Sequence, residues 1–63
     1  MNDLYQMDDK LSYVIANDYR LLQVMSRFGI TLGFGEKSIK EVCRERGVDA
    51  DTFLLVINYV KQG

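Results

Sequence analysis

The chain has 63 residues, of which 48% are hydrophobic and 27% charged, and its net charge is −1. These values are typical of one small globular domain, whose core at this size usually supplies only about 3–5 kcal/mol of net stability. A single cysteine excludes an internal disulfide, and the absence of histidine argues against a zinc site. The small net charge provides no electrostatic attraction to nucleic acid or to an anionic membrane.

The first ten residues contain no apolar run, and Lys10 is their only basic residue. Because a signal peptide needs a basic start and an apolar stretch, and a span needs about 20 apolar residues, we expect neither. The expected location is the cytoplasm, with no membrane partner. We predict a flexible N-terminal arm over residues 1–9, with Tyr5 and Met7 docking on the body. A single small helical domain is expected over residues 10–63, as the N-terminal part of a longer protein.

The spacing of apolar residues follows the helical period and never the two-residue alternation of a strand, which predicts an all-α fold. A short first helix is expected over about Leu11–Ala16. Its expected N-cap is Asp8 or Asp9, since aspartate accepts hydrogen bonds from the free N–H groups of a first turn. The residues expected to face inward are Leu11, Val14 and Ile15.

A second helix is expected over about Asp18–Phe28, with Asn17 as its N-cap. Asp18 in its first turn and Arg27 in its last turn would both interact favourably with the helix dipole. Gly29 is expected to end the helix as a left-handed residue. The predicted buried stripe consists of Leu21, Leu22, Val24, Met25 and Phe28.

The third helix is predicted over Ile39–Arg46, because Ser38 and Glu41 form the S-x-x-E pattern of a capping box. Gly47 should end it, and its buried residues should be Ile39, Val42 and Cys43. With a fourth helix after it, the third helix completes the predicted fold, a compact bundle of four short helices. A glycine-rich loop would connect the second helix to the third.

The fourth helix is predicted over about Ala50–Lys61, with Asp49 as its N-cap and Asp51 in its first turn. Its inner face should consist of Phe53, Leu54, Val56, Ile57 and Val60. The four tyrosines cannot all be central in so small a domain. We therefore expect some of them at the surface, a composition that suits a protein–protein contact.

The glycine-rich loop contains the residues that we select as interaction candidates. Leu32 and Phe34 are apolar loop residues, and Glu36 and Lys37 follow them. Leu32 is expected to fill the core, whereas Phe34, between two glycines, is left open as either a core residue or an exposed docking knob. Anion binding at the start of the third helix, aided by Lys37, is also left open. The glycines are expected mainly to supply left-handed backbone geometry.

The chain offers little material for catalysis, since carboxylates are its only general bases. Most of them are explained as helix caps or first-turn residues. Cys43 lies on an apolar stripe and is expected to be a buried structural thiol. We therefore predict no catalytic residue, no metal ligand and no cofactor, and we do not expect an enzyme.

The segment from Ser38 to Tyr59 also has the layout of a helix-turn-helix, with Gly47 at the turn. From Ser38 onward the basic residues Lys40, Arg44, Arg46 and Lys61 are balanced by Glu41, Glu45, Asp49 and Asp51. Asp49 and Asp51 also open the helix that would read DNA. Because carboxylates there would be repelled by phosphates, nucleic acid is not an expected partner. A DNA-binding domain of a transcriptional regulator remains the alternative function.

Most of the segment from Leu11 to Ile57 resembles a known family in its helix ends and loops. The shared features are the short first helix at 11–15, Arg27-Phe28-Gly29-Ile30, and the run at 37–43 followed by Arg46-Gly47-Val48-Asp49. The segment is similar to the small N-terminal domain of iron–sulfur-cluster repair proteins, which precedes a hemerythrin-like di-iron bundle. It also resembles the related hybrid-cluster-associated redox disulfide domain.

The chain departs from that family where the family loop carries a pair of cysteines, because Gly33 and Phe34 stand there. Thiol chemistry is therefore not expected here, and Cys43 corresponds to a packing position in the family. The resemblance implies a helical fold and a non-catalytic accessory role in a bacterial protein. The expected partner is another protein or a downstream domain of the same chain, and a weak homodimer is left open.

Overall fold

The computed structural model describes residues 4–31 and 33–62. Within these residues the regular structure consists of four α-helices without a strand, so the predicted all-α bundle is confirmed. Helix α4 packs against α2 and α3, and α1 packs against α2. The helices are α1 (Leu11–Asn17), α2 (Leu21–Arg27), α3 (Ile39–Arg46) and α4 (Ala50–Gln62).

Helix α3 has the boundaries that its local sequence predicts. The Ser38 hydroxyl accepts the N–H of Glu41 at 3.2 Å, and the Glu41 carboxylate accepts the N–H of Ser38 at 3.2 Å. This reciprocal pair is the predicted capping box. At the other end Gly47 adopts a left-handed φ of 70°, which terminates the helix as expected.

Helix α4 also begins as predicted, and it continues one residue further, to Gln62. The Asp49 carboxylate accepts the N–H of Asp51 at 3.2 Å and the hydroxyl of Thr52 at 2.9 Å. These bonds satisfy polar groups of the first turn, so Asp49 caps the helix. The inward-facing Phe53 and Ile57 are fully buried.

The predicted N-cap of α1 is wrong, because neither Asp8 nor Asp9 occupies that position. Lys10 stands there without a capping side chain. The first N–H group, that of Leu11, instead donates to the carbonyl of Lys37 at 3.2 Å, across an isolated bridge between Lys10 and Ser38. The N–H of the first helical residue therefore finds its acceptor in a distant part of the backbone and not in a capping side chain.

The predicted start of α2 is also wrong, since the helix begins at Leu21 and not at Asp18. Asn17 is the last residue of α1 and not a cap. Asp18 is extended, and its carboxylate accepts the N–H of Arg20 at 3.0 Å, a local turn that competes with helix formation. One member of the predicted stripe, Leu22, is exposed.

The segment 4–9 lies against the helices, and the docking expected of Tyr5 is found there; residues 1–3 of the expected flexible arm lie outside the described residues. The Tyr5 side chain is only 2% exposed. The backbone N–H of Tyr5 donates to the Asn58 amide oxygen at 2.7 Å, and the Asn58 amide nitrogen donates to the backbone carbonyl of Tyr5 at 3.2 Å. Asn17 donates to the Tyr5 hydroxyl at 3.0 Å, so this segment is fastened to both α1 and α4.

One hydrophobic cluster connects the helices with this segment. Phe28 meets the fully buried Phe53 of this cluster edge to face, with ring centroids 5.2 Å apart. Met7, Ile15, Val24, Phe28, Leu54 and Val60 are partly buried around it. The buried residues are Tyr5, Leu11, Val14, Leu21, Met25, Ile30, Phe34, Ile39, Val42, Cys43, Phe53 and Ile57.

Candidate functional site

The glycine-rich loop contains the interaction candidates that the sequence indicates, and Phe34 within it is a core residue. Gly33 and Gly35 have φ values of 102° and 59°, so both use the left-handed geometry expected of glycine. Between them the Phe34 side chain is 8% exposed and joins the buried cluster. Of the two roles left open for Phe34, the docking knob is excluded by this burial. Leu32 lies outside the described residues.

Glu36 and Lys37 are exposed, and each is engaged in a separate ion pair. The Lys10 ammonium contacts the Glu36 carboxylate at 2.8 Å and lowers the pKa of Glu36 below its usual range. The Lys37 ammonium contacts both carboxylate oxygens of Glu45 at 2.8 Å. The candidates of the loop therefore do not converge on one point.

The start of α3 is occupied by contacts within the chain, which argues against an anion site there. The N–H of Ile39 donates to the carbonyl of Asp9 at 2.9 Å, and the N–H of Lys40 donates to the carbonyl of Met7 at 3.0 Å. The next N–H group, that of Glu41, donates to Ser38. Because an anion at a helix start binds through these groups, it would have to displace all three contacts.

Cys43 is a free, buried cysteine on α3, as its position on the apolar stripe predicts. Burial raises the pKa of its thiol, and the nearby negative charge of Asp49 raises that pKa further. A thiol that stays protonated is a poor nucleophile. The setting of Cys43 is thus that of a packing residue.

The structure draws attention to a different surface, the outer face of α4, which consists of Asp51, Leu55, Asn58, Tyr59 and Gln62. Asp51, Leu55, Asn58 and Gln62 follow one another at intervals of three or four positions, and Tyr59 lies four positions after Leu55. All five therefore lie along one side of the helix. Leu55 is 71% exposed and Tyr59 is 77% exposed. With Leu4 and Leu54 they line a groove of about 320 Å³.

The wall of this groove opposite α4 is held in place by the contacts of the segment 4–9. Leu4 lines the groove, and its neighbour Tyr5 is hydrogen-bonded through its backbone to Asn58 on α4. The Lys61 ammonium lies 4.9 Å from the centre of the Tyr5 ring, in a cation–π contact. The groove is therefore formed by two parts of the chain that the fold fastens together.

Leu55 and Tyr59 are not among the interaction candidates that the sequence indicates. The sequence does predict that some tyrosines lie at the surface, which is confirmed for Tyr13, Tyr19 and Tyr59. A signal was present, because Leu55 and Tyr59 are large apolar residues four positions apart and outside the predicted inner face of their helix. Such a pair forms a second apolar stripe on a short helix.

Among residues 4–31 and 33–62, no three histidine, cysteine, aspartate or glutamate side chains are grouped so that they could hold a metal ion. None of the helices in the same residues is long and apolar enough to span a bilayer.

Comparison with known proteins identifies no relative of this chain. No protein-family model matches it, and neither a curated protein nor a solved structure matches it significantly.

Proposed function

We propose that this chain is a non-catalytic protein-interaction module that contacts its partner through the outer face of α4. The observation that carries this proposal is the exposure of Leu55 and Tyr59, at 71% and 77%, beside a groove. Removing a large apolar side chain from water contributes about 1.5–3 kcal/mol, and tyrosine is enriched among residues that dominate interface energies. The proposal moves the interaction site from the loop to the helix.

The charges on the outer face favour a protein partner over nucleic acid. The charged residue of this face is Asp51, and Asn58 and Gln62 are neutral amides. The only basic residue of α4 is Lys61, whose ammonium is engaged with the Tyr5 ring. An apolar centre with polar neighbours is the usual composition of a protein interface, whereas phosphate binding needs cations.

The absence of catalysis is part of the proposal, and the surroundings of the carboxylates support it. Glu36 and Glu45 are exposed and paired with lysines, and Asp18 is paired with Arg20. Glu41 and Asp49 cap helices. A general base needs a raised pKa near neutrality in a cleft, whereas the pKa shifts of Asp18, Glu36 and Glu45 are all downward.

We further propose that the module belongs to the N-terminal region of a larger bacterial cytoplasmic protein related to hemerythrin-like or iron-centre-repair proteins. The support is the resemblance of the helix ends and of the Lys37–Cys43 run, together with four helices in the expected order. Reading the coding sequence after the Gly63 codon tests this point. A downstream bundle rich in histidine and glutamate supports it, and a stop codon or an unrelated domain contradicts it.

A helix-turn-helix domain is the second candidate, favoured by one observation. Helices α3 and α4 pack together and are joined by three residues, 47–49. The exposed residues of α4 argue against it, since they include no cation; they are Asp51, Thr52, Leu55, Tyr59 and Gln62. A salt titration with duplex DNA separates the candidates: micromolar binding at 150 mM salt that weakens steeply as salt rises would favour the DNA-binding domain.

Site-specific photo-cross-linking in the cells that make the protein tests the interaction surface. The photoreactive residue p-benzoylphenylalanine replaces Tyr59 on the outer face or, as the matched control, Tyr19, which is 76% exposed on the segment between α1 and α2. We expect a discrete protein cross-link at position 59 that is absent at position 19. Adding Leu55→Glu should remove it.

Equal cross-linking at the two positions, or a product at position 59 that survives Leu55→Glu, would contradict the proposed surface. Both replaced side chains are exposed, so each variant should remain folded. Circular dichroism melts verify this before the cross-linking yields are compared.

A further inference from the structure

We propose that the segment 4–9 is a releasable strap, which opens as one unit while the four helices stay folded and so removes one wall of the groove on α4. Its effect on the groove rests on the proposed function, whereas its release rests on the contacts of the segment. In the structure the strap is closed, and Leu4 lines the groove.

One end of the strap is held by Tyr5. The Tyr5 backbone shares two hydrogen bonds with the Asn58 side chain on α4, and the Tyr5 hydroxyl accepts the amide of Asn17 at the end of α1. Within the segment 4–9 only Tyr5 belongs to the buried cluster. Its other members come from the helices and from the loop between α2 and α3, so the strap has a single buried anchor.

The other end of the strap is held by the first turn of α3. The carbonyl of Asp9 accepts the N–H of Ile39 at 2.9 Å, and the carbonyl of Met7 accepts the N–H of Lys40 at 3.0 Å. First-turn N–H groups have no acceptor inside their own helix. The hydrogen exchange of Ile39 and Lys40 therefore reports directly on whether the strap is closed.

The helices pack on one another without the strap. Helix α4 packs against α2 and α3, and α1 packs against α2, whereas the segment 4–9 connects no two helices. The parts of a fold that open most easily have few buried apolar groups and many hydrogen bonds close to solvent. The segment has this character, because Gln6 and Asp8 are exposed and Met7 is only partly buried.

Release of the strap would change the proposed interaction surface. It would withdraw Leu4 from the groove and free the Asn58 amide, as well as the Lys61 ammonium that lies 4.9 Å from the centre of the Tyr5 ring. A partner that fills the groove against Leu4 binds only the closed form, so partner binding and closure of the strap stabilise each other. The strap thus gates the outer face of α4.

Native-state hydrogen exchange of the full chain, measured by NMR at low denaturant concentrations, tests the release. The amides of Tyr5, Ile39 and Lys40 should share one opening equilibrium that depends little on denaturant, because opening a short segment exposes little surface. The amide of Ile57, in the middle of α4, should be more strongly protected and should show the steeper denaturant dependence of global unfolding.

Asn58→Ala tests whether the strap opens as one unit. The substitution removes two hydrogen bonds from the closed form, so the exchange of Tyr5, Ile39 and Lys40 should rise by a common factor of about ten. Gln62→Ala, on the same face of α4, should leave the three rates unchanged. Faster exchange of Tyr5 alone would overturn the proposal. Exchange of Ile39 and Lys40 that matches Ile57 in protection and denaturant dependence would also overturn it, since the segment would then leave only on global unfolding.

Tyr5→Ala tests the gate, because it removes the buried anchor of the strap. The amides of Ile39 and Lys40 should exchange more than about tenfold faster, while Ile57 remains protected. With p-benzoylphenylalanine at position 59, the cross-link to the partner should be lost in Tyr5→Ala. It should be kept in the matched control Tyr19→Ala, whose side chain is exposed in the parent chain.

Loss of protection at Ile57 in Tyr5→Ala would show that the helices do not hold without the segment, which overturns the strap. A cross-link at position 59 that persists while Ile39 and Lys40 have lost their protection overturns the gate. These failures differ from failure of the proposed function. If exchange shows the strap but the parent chain gives no specific cross-link at position 59, the proposed interaction surface is removed and the strap stands.

Discussion

The glycine loop and the outer face of α4 both carry a large aromatic residue, and the fold treats the two in opposite ways. Phe34, between two glycines in a loop, is 8% exposed, whereas Tyr59, on a regular helix, is 77% exposed. The loop aromatic resembles an exposed knob in the sequence but belongs to the core. The helix aromatic resembles part of an ordinary amphipathic helix but stands in solvent.

This difference shows that a position in a loop does not by itself indicate a binding residue. Left-handed glycines let the backbone reverse, and the reversal can direct the side chain between them inward as readily as outward. A helix has a fixed angular period, so an apolar residue outside its buried stripe has no route to the core. The more reliable indication of a docking surface here is the apolar pair Leu55 and Tyr59.

The largest expected effect is that of Phe53→Ala, which sets the scale for a residue wholly inside the core. Phe53 is fully buried and meets Phe28 at a centroid distance of 5.2 Å. Its truncation should lower the free energy of unfolding by about 3–5 kcal/mol, enough to unfold so small a domain. A cooperative melt at an unchanged midpoint would contradict the core assignment.

Phe34→Ala tests the loop side of the comparison directly. Because the Phe34 side chain is buried, its loss should lower the free energy of unfolding by about 3 kcal/mol. Denaturant titration measures the change, with Glu36→Gln in the same loop as the exposed control, expected to change stability by less than about 0.5 kcal/mol. If both substitutions changed the free energy of unfolding by the same small amount, the burial of Phe34 would be contradicted.

Asn58→Ala tests the two hydrogen bonds that fasten the segment 4–9 to α4 and so hold one wall of the groove. The substitution removes two hydrogen bonds to the Tyr5 backbone. We expect a loss of about 1–2 kcal/mol, reduced slightly because alanine is the better helix former. Gln62→Ala on the same face is the control and should be nearly neutral. Faster hydrogen exchange of the Tyr5 amide in Asn58→Ala, but not in Gln62→Ala, would show that the lost hydrogen bonds cause the loss of stability. Unchanged exchange in Asn58→Ala would contradict this.

Tyr59→Ala completes the comparison from the side of α4. Since this side chain is exposed, its removal should change the free energy of unfolding by less than about 0.5 kcal/mol. The same change should weaken binding of the protein partner that contacts the outer face of α4. A large loss of stability in dilute solution would show that Tyr59 has a structural role.

The smallest expected effect is acid destabilisation through surface ion pairs, two of which, Lys10–Glu36 and Lys37–Glu45, involve residues of the loop. Lys10 lowers the pKa of Glu36, Lys37 lowers that of Glu45, and Arg20 lowers that of Asp18. The stability that these pairs add is present above the ordinary carboxyl pKa of about 4 and is lost as the pH falls through the lowered values.

The acid effect should be modest, because exposed ion pairs contribute little. Thermal melts between pH 7 and pH 3 should show a falling midpoint below about pH 4. Glu36→Gln should show a shallower fall over the same range, since it lacks one of the three carboxylates. A melting midpoint that rises on acidification would contradict the stabilising role of these ion pairs.

The four helices, the ends of α3 and the start of α4 could be predicted because their signals are local. The bonds between Ser38 and Glu41, and between Asp49 and Asp51, join residues two or three positions apart. The starts of α1 and α2 could not be predicted. The N–H of Leu11 donates to the distant Lys37 carbonyl, and the Asp18 carboxylate accepts the N–H of Arg20 in a local turn. Of the candidate site, the sequence predicted exposed tyrosines but not which surface they occupy.

The sequence alone determined the all-α class, the glycine helix ends and most of the buried stripe, since each depends on residues within a few turns of one another. Only the tertiary structure decided that Phe34 lies inside, that Leu55 and Tyr59 stand outside, and that Leu4 forms the wall of a groove. These outcomes depend on contacts such as that between Tyr5 and Asn58, which are 53 positions apart. Contacts over such separations form only when the whole chain packs, because packing selects which of several apolar surfaces a small core can enclose.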